Sequence, residues 1–307
     1  MKRDRRIVCI GECMLEFSEH GAGNFKLGFA GDTFNTAWYL RACLGADWAV
    51  DYVTAVGDDH YSAQMLFFCQ ANKIGTDHIK AIPNHRQGLY VIRQADGDRH
   101  FTYWRGQAAA KKLADDIDFL NTAFEGVRLI YFSGITLAIL DDDGRERLLA
   151  AVELAKAKGS LVAFDPNERP ALWASKTVMT TTIEQAAGLA DFVLPTFPDE
   201  QLHFSDKNPE AVAMRYLKLG VREVVVKNGA DAALVATSAE RNFVSPHGGV
   251  TAVDPTGAGD SFNGAYLAAR LQNILPAFAA AQAHVVAGVV ITQPGALVPM
   301  DRFAGKA

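Results

Sequence analysis

Short apolar runs alternate along the chain with longer stretches of helical period. Residues 7–10, 52–56, 129–132, 161–164, 192–194 and 223–226 are rich in β-branched and aromatic side chains, and several are apolar at every position. Runs without a polar face predict strands of a parallel sheet covered on both sides. Between them, residues 33–44, 61–73, 145–158, 210–219, 258–272 and 277–291 carry the i, i+3, i+4 spacing of amphipathic helices. This βαβ alternation predicts an α/β fold, a Rossmann-type doubly wound sheet.

Two segments break the rhythm. Residues 14–29 and 88–105 alternate apolar and polar side chains, and the second carries Asp96 and Gly97, a hairpin turn pair. Both predict hairpins of a small second sheet, inserted early and folding over one edge of the main sheet as a lid. An extension of the central sheet would show the same alternation. With no linker or repeat, residues 1–307 are expected to form a single domain carrying this lid.

Composition narrows the function. The chain has 307 residues, 30 basic and 35 acidic, for a net charge of −5. That balance predicts no nucleic-acid or membrane-surface partner. Four cysteines at positions 9, 13, 43 and 69 lack an accompanying histidine cluster, so buried thiols are expected rather than a metal site. The basic start MKRDRR precedes an apolar run too short for a signal peptide, and no run approaches the ~20 residues that span a bilayer. A cytoplasmic protein is expected.

The strongest chemical signal is Asp254-Pro255-Thr256-Gly257-Ala258-Gly259-Asp260-Ser261-Phe262-Asn263-Gly264. It opens a helix with small residues at 257–259, where unpaired amides and the helix dipole favour a phosphate. A carboxylate in that turn repels a resting phosphate. It becomes useful if Asp260 accepts a proton from an attacking hydroxyl, although a plain capped helix start would also carry it. Neither a GxxxxGK[ST] loop nor a strand-linked GxGxxG is present, which speaks against a Walker-type site and a dinucleotide enzyme. A second helix opens at Ala30-Gly31-Asp32-Thr33-Phe34-Asn35-Thr36-Ala37. Gly31, Asp32 and Asn35 suit sugar hydroxyls, and an ordinary N-cap would look alike.

Together the two motifs resemble the PfkB (ribokinase-like) family of carbohydrate kinases, in its GG[DN]xxNxA and DTxGAGDxF patterns. Ala30 replaces the first glycine and Pro255 the threonine. Further strings, among them GECMLEF, YWRGQAAAK, FDPNERPALWASK and EVVVKNGAD, are similar to the branch of the family acting on a 2-keto-3-deoxy sugar acid. The resemblance spans essentially the whole chain and implies a ribokinase-like fold with ATP and Mg2+.

By that resemblance Asp260 is the base, with Gly257, Ala258, Gly259 and Arg169 stabilising the transferring group. Gly31, Asp32 and Asn35, with Tyr90, Tyr103 and Arg105 from the lid, are implied to hold the sugar, Arg105 pairing its carboxylate. Asn167, Arg169, Thr196, Lys227, Gly229, Thr256, Gly257, Gly259 and His284 are implied to line the nucleotide. For Arg169 a surface salt bridge, and for His284 a satisfied core histidine, are equally open. Where the family has NxxE, this chain has Thr196 and Asp199, so the metal-organising residue stays open between Asp199 and Glu200, acting through water. Lids of this family often pair between subunits, implying a homo-oligomer. The rivals are a kinase for a neutral sugar such as fructose or ribose, and a sugar- or nucleotide-sensing protein without catalysis.

Overall fold

Burial on both faces decides the architecture of the computed structural model, which describes residues 5–21, 23–95 and 98–303. In β1 (Arg6–Ile10), successive side chains point to opposite faces, and Ile7, Val8, Cys9 and Ile10 are all fully buried. A strand with no solvated face must be covered by helices on both sides. The chain continues through β2 (Met14–Glu19), β3 (Phe25–Ala30), α1 (Asp32–Cys43), β4 (Ala49–Val56), α2 (His60–Ala71), β5 (Ile79–Ala81), β6 (Leu89–Ala95) and β7 (Asp98–Trp104). There follow α3 (Ile117–Ala123), β8 (Leu129–Ser133), α4 (Gly134–Ile139), α5 (Asp142–Ala157), β9 (Leu161–Asp165), α6 (Lys176–Leu189), β10 (Phe192–Val193), α7 (Phe197–Phe204) and α8 (Pro209–Lys218). The chain closes with β11 (Glu223–Val226), β12 (Ala233–Thr237), β13 (Arg241–Val244), α9 (Ala258–Leu271) and α10 (Pro276–Ile291).

Nine strands form one sheet in the order β13-β12-β11-β10-β9-β8-β1-β4-β5. It is parallel from β5 to β11, and antiparallel between β11 and β12 and between β12 and β13. On one face Val8 and Ile10 pack with Leu148 and Val152 of α5, Ile183 of α6 and Tyr216 of α8. On the other, Ile7 and Cys9 pack with Phe34 of α1, Tyr266 of α9 and Val286 of α10. The doubly wound α/β expectation therefore holds, with an antiparallel edge that the strand pattern did not predict.

A separate four-stranded sheet has the order β3-β2-β6-β7, two antiparallel hairpins joined by the parallel pair β2 and β6. The turn expected at Asp96 and Gly97 lies outside the described residues. The short helices α3 and α4 and the threonine-rich α6 also escaped the periodicity. In α6, β-branched residues that disfavour helix are held there by burial of Met179, Ile183, Ala186 and Ala187. Among the described residues no helix is long and apolar enough to cross a membrane. All four cysteines are buried free thiols, and burial pushes Cys43 and Cys69 up to about 12, far from reactivity.

From β1 the chain builds outward through β4 and β5, then returns to β8 on β1's other side. The carboxyl ends of β1 and β8 thus flank a topological switch point, where open α/β sheets leave a crevice. α1 and α9 both start beside it. Their crossing is close because position 264 is glycine: a Cβ there would lie 2.7 Å from the Cβ of Tyr39 and 2.8 Å from the Thr36 carbonyl oxygen. One helical turn earlier on α9 stands Asp260. We expect Gly264→Val to destabilise the protein by about 1–3 kcal/mol, as overpacking does. It should also lower activity out of proportion by parting the two helix starts. Denaturant melts with a parallel assay check this, and a variant of wild-type stability and activity contradicts it.

Candidate active site

The approach of α1 and α9 sets a pair of polar residues face to face. Asn35 donates from Nδ2 to Oδ2 of Asp260 at 2.8 Å, and the Thr36 hydroxyl donates to the Asp260 carbonyl at 3.4 Å. Gly257 caps α9 with φ 78°, a left-handed conformation that favours glycine. Asp254, almost wholly buried, braces this start by accepting from the Thr256 amide at 2.9 Å and the Gly295 amide at 2.5 Å. The Ala258 amide bonds to the Pro255 carbonyl at 3.1 Å, while Gly259 and Asp260 lie in the first turn, whose amides have no acceptor within the helix. The start of α9 thus offers positive backbone dipole beside a carboxylate.

Further carboxylates crowd the same place. Asp32 opens α1 and accepts from Asn167 Nδ2 at 2.8 Å. Asp165, at the end of β9, accepts from Lys227 Nζ at 2.8 Å, from Asn263 Nδ2 at 2.6 Å and from the Asn167 amide at 3.1 Å. Lys227 also donates to Asn263 Oδ1 at 3.1 Å, and its Nζ would lie 3.6 Å from a Cβ placed on Gly259. Burial pushes the Asp260 carboxyl up to about 7. Asp32 and Asp165 add to the rise, while Asn35 and Lys227 oppose it. Asp32 is also raised by burial, against the hydrogen bonds from Ser133 and Asn167.

From the small sheet, the Tyr90 hydroxyl donates to Glu16 and Arg105 donates to Glu12. Tyr103 is half exposed and packs at a tilt against Tyr90, with ring centres 5.6 Å apart. Burial raises its phenol, while Arg105 and Arg169 both act to lower it. Arg169 is half exposed, donates to the Glu168 carbonyl at 2.6 Å and stands 3.9 Å from Asp199.

The remaining residues singled out from sequence fall as follows. Gly31 donates its amide to Asn35 Oδ1 at 3.4 Å. Thr196 caps α7 and bridges to Lys227 through the backbone. Gly229 sits in an exposed turn with φ 59°. His284 bonds to the Val244 carbonyl at 3.0 Å and packs edge-on against Phe262, so its contacts tie α10 to β13 and α9. Asp199 keeps a partly exposed carboxylate, whereas Glu200 is fully buried and taken by Arg215 and Tyr216. Among the described residues no three His, Cys, Asp or Glu side chains gather to hold a metal. Asp165, Asn263, Glu12 and Glu16 were given no role from sequence. The first two adjoin residues that were, in Phe164-Asp165-Pro166-Asn167 and Ser261-Phe262-Asn263-Gly264.

Residues 4–302 match the pfkB family carbohydrate kinase. The chain is 39% identical over 304 residues to a 2-dehydro-3-deoxygluconokinase of Escherichia coli (strain K12), covering 97% of this chain and 98% of that one. It is 38% identical over 305 residues to a 2-dehydro-3-deoxygluconokinase of Dickeya dadantii (strain 3937), covering 97% and 98% of the two chains. In fold it is similar to a ribokinase-II-type protein of E. coli solved in complex with ATP and Mg2+. That likeness has a TM-score of 0.83 and 24% identity, over 99% of this chain and 98% of that one. The chain belongs to the pfkB family of carbohydrate kinases, and it is a sugar kinase.

One carboxyl group next to the site is poorly matched to its surroundings. Glu168, in the loop carrying Asn167 and Arg169, is 2% exposed and neither of its side-chain oxygens has a partner. Burial, then the neighbouring Glu200, raise its pKa. The folded state therefore keeps a proton that the unfolded chain releases near the ordinary value of about 4.3. Stability contributed here is lost as pH rises from that value towards the raised one. Glu168→Gln should raise Tm at pH 8 by roughly 2–4 °C, with the gain vanishing near pH 4. A gain equal at both pH values, or a loss at pH 8, contradicts this.

Proposed function

We propose that the protein transfers the γ-phosphoryl group of ATP to the terminal hydroxyl of 2-keto-3-deoxygluconate, giving the 6-phosphate, with Asp260 as general base. The observation carrying this proposal is the Asp260 carboxylate in the first turn of α9, 2.8 Å from Asn35 of the opposing helix start. A base for a hydroxyl works best with a pKa near the operating pH, and Asp260 is pushed up to about 7. The names of the relatives at 38–39% identity support the substrate. Arg105 and Arg169, which both act on Tyr103, are cations of the kind that pair an acidic group of the substrate.

In the mechanism, Asn35 and Asp32 orient the sugar hydroxyls and Asp260 removes the proton of the attacking one. The first-turn amides of Gly259 and Asp260, with Arg169 and the ammonium of Lys227 behind them, face the charge that spreads over the transferring oxygens. Thr196, Thr256, Gly229 and His284 are assigned to the nucleotide side of the crevice. Asp199, whose carboxylate is partly exposed, would hold Mg2+ through water, whereas Glu200 is spent on Arg215 and Tyr216. When bound, Mg2+ neutralises phosphate charge. The small sheet acts as a lid that excludes water. Its outer face carries a groove of ≈ 790 Å³ lined by Phe17, Leu89, Val91 and Trp104, which we assign to pairing with a second copy. The cytoplasm, where ATP is available, is the proposed compartment.

A coupled ATP-consumption assay with sugar acids and neutral sugars tests the substrate. Turnover of fructose without turnover of 2-keto-3-deoxygluconate overturns it. Asp260→Asn should lower kcat by roughly 10²–10⁴-fold while ATP still binds, the usual worth of a general base. Wild-type kcat/KM should fall as pH drops below about 7, because the base works deprotonated. A variant of near-normal kcat rejects Asp260 as base.

A further inference from the structure

Glu12 lies in the link between β1 of the main sheet and β2 of the small one, and it is 2% exposed. A buried carboxylate needs a partner, and this one takes a hydrogen bond on Oε2 from Nη2 of Arg105. Its other oxygen, Oε1, is buried with no partner and would lie 2.5 Å from a Cβ on residue 88, which is glycine. Arg105 directly follows β7, the last strand of the small sheet; its side chain is 13% exposed and its Nε is buried without a partner. The pair therefore joins the place where the chain first enters the small sheet to the place where it last leaves it.

The surroundings say what the pair does. Asp32 acts on Glu12 electrostatically, and Asp32 in turn raises Asp260. Arg105 is held at one edge by Glu12, and its charge also acts to lower the phenol of Tyr103 on the small sheet. We propose that Glu12 is a positioning residue for substrate selectivity. It anchors one edge of the Arg105 guanidinium and leaves the other edge for the carboxylate of a sugar acid. This rests on the acid-substrate proposal above.

The test is a double-mutant cycle with steady-state kinetics on 2-keto-3-deoxygluconate, fructose and ATP. Glu12→Ala should raise KM for the acid about tenfold, the worth of one charge-assisted hydrogen bond. Its kcat, its KM for ATP and its efficiency on fructose should stay within about threefold, since the hydrogen bond removed touches neither nucleotide nor neutral sugar. Glu12→Gln keeps an acceptor at the same place and should recover most of the loss. In an Arg105→Ala background, Glu12→Ala should add nothing further. Losses that multiply in the double variant, an equal rise in KM for ATP, or no rise for the acid in Glu12→Ala overturn the inference while leaving the substrate proposal standing. A wild-type chain that phosphorylates fructose but not the acid overturns both.

Discussion

The meeting of α1 and α9 is the constraint on which the crevice depends. Each helix carries an aspartate in its first turn, where the amides lack partners within the helix, and Gly264 lets the two axes come close enough for Asn35 to reach Asp260. Neither helix start alone is distinctive chemistry. Brought together at the carboxyl edge of a parallel sheet, they put an electropositive turn, a carboxylate and a neutral amide donor within a few ångströms. The hydrophobic patterning of both sheet faces serves this arrangement by fixing where α1 and α9 lie.

Electrostatic balance is the second constraint. Asp32, Asp165 and Asp260 crowd one crevice: Asp165 adds to the rise of Asp32, and both add to the rise of Asp260. Lys227 neutralises Asp165 and draws Asp260 back down, so the base stays near neutrality. Cations on the rim are tethered: Arg169 stands by Asp199, and Arg105 is held by Glu12. Each of these cations is paired with a carboxylate, so part of the crevice's negative charge is balanced before phosphates or a sugar acid arrive.

Much of this was legible in the sequence, because fully apolar strands and glycine-marked helix starts are local signals. The strand run at Ile7 to Ile10, the helix opening at Asp32 and the Gly257-Ala258-Gly259-Asp260 turn could each be read without knowing what lay beside them. What escaped depended on distant partners. Asp165 matters because Lys227 and Asn263 converge on it, 62 and 98 residues away. Glu200 read as a candidate beside Asp199 until Arg215 and Tyr216 were seen to occupy it. The antiparallel edge of β12 and β13 and the threonine-rich α6 were missed because packing, rather than intrinsic preference, sets their form.

The most direct measurement is a crystal structure of the ternary complex with a non-hydrolysable ATP analogue and 2-keto-3-deoxygluconate. The account predicts the terminal hydroxyl of the sugar within about 3 Å of an Asp260 side-chain oxygen, a hydrogen-bond distance, and the γ-phosphate against the Gly259 and Asp260 amides. A sugar seated with no hydroxyl near Asp260, or a γ-phosphate away from the start of α9, would contradict it.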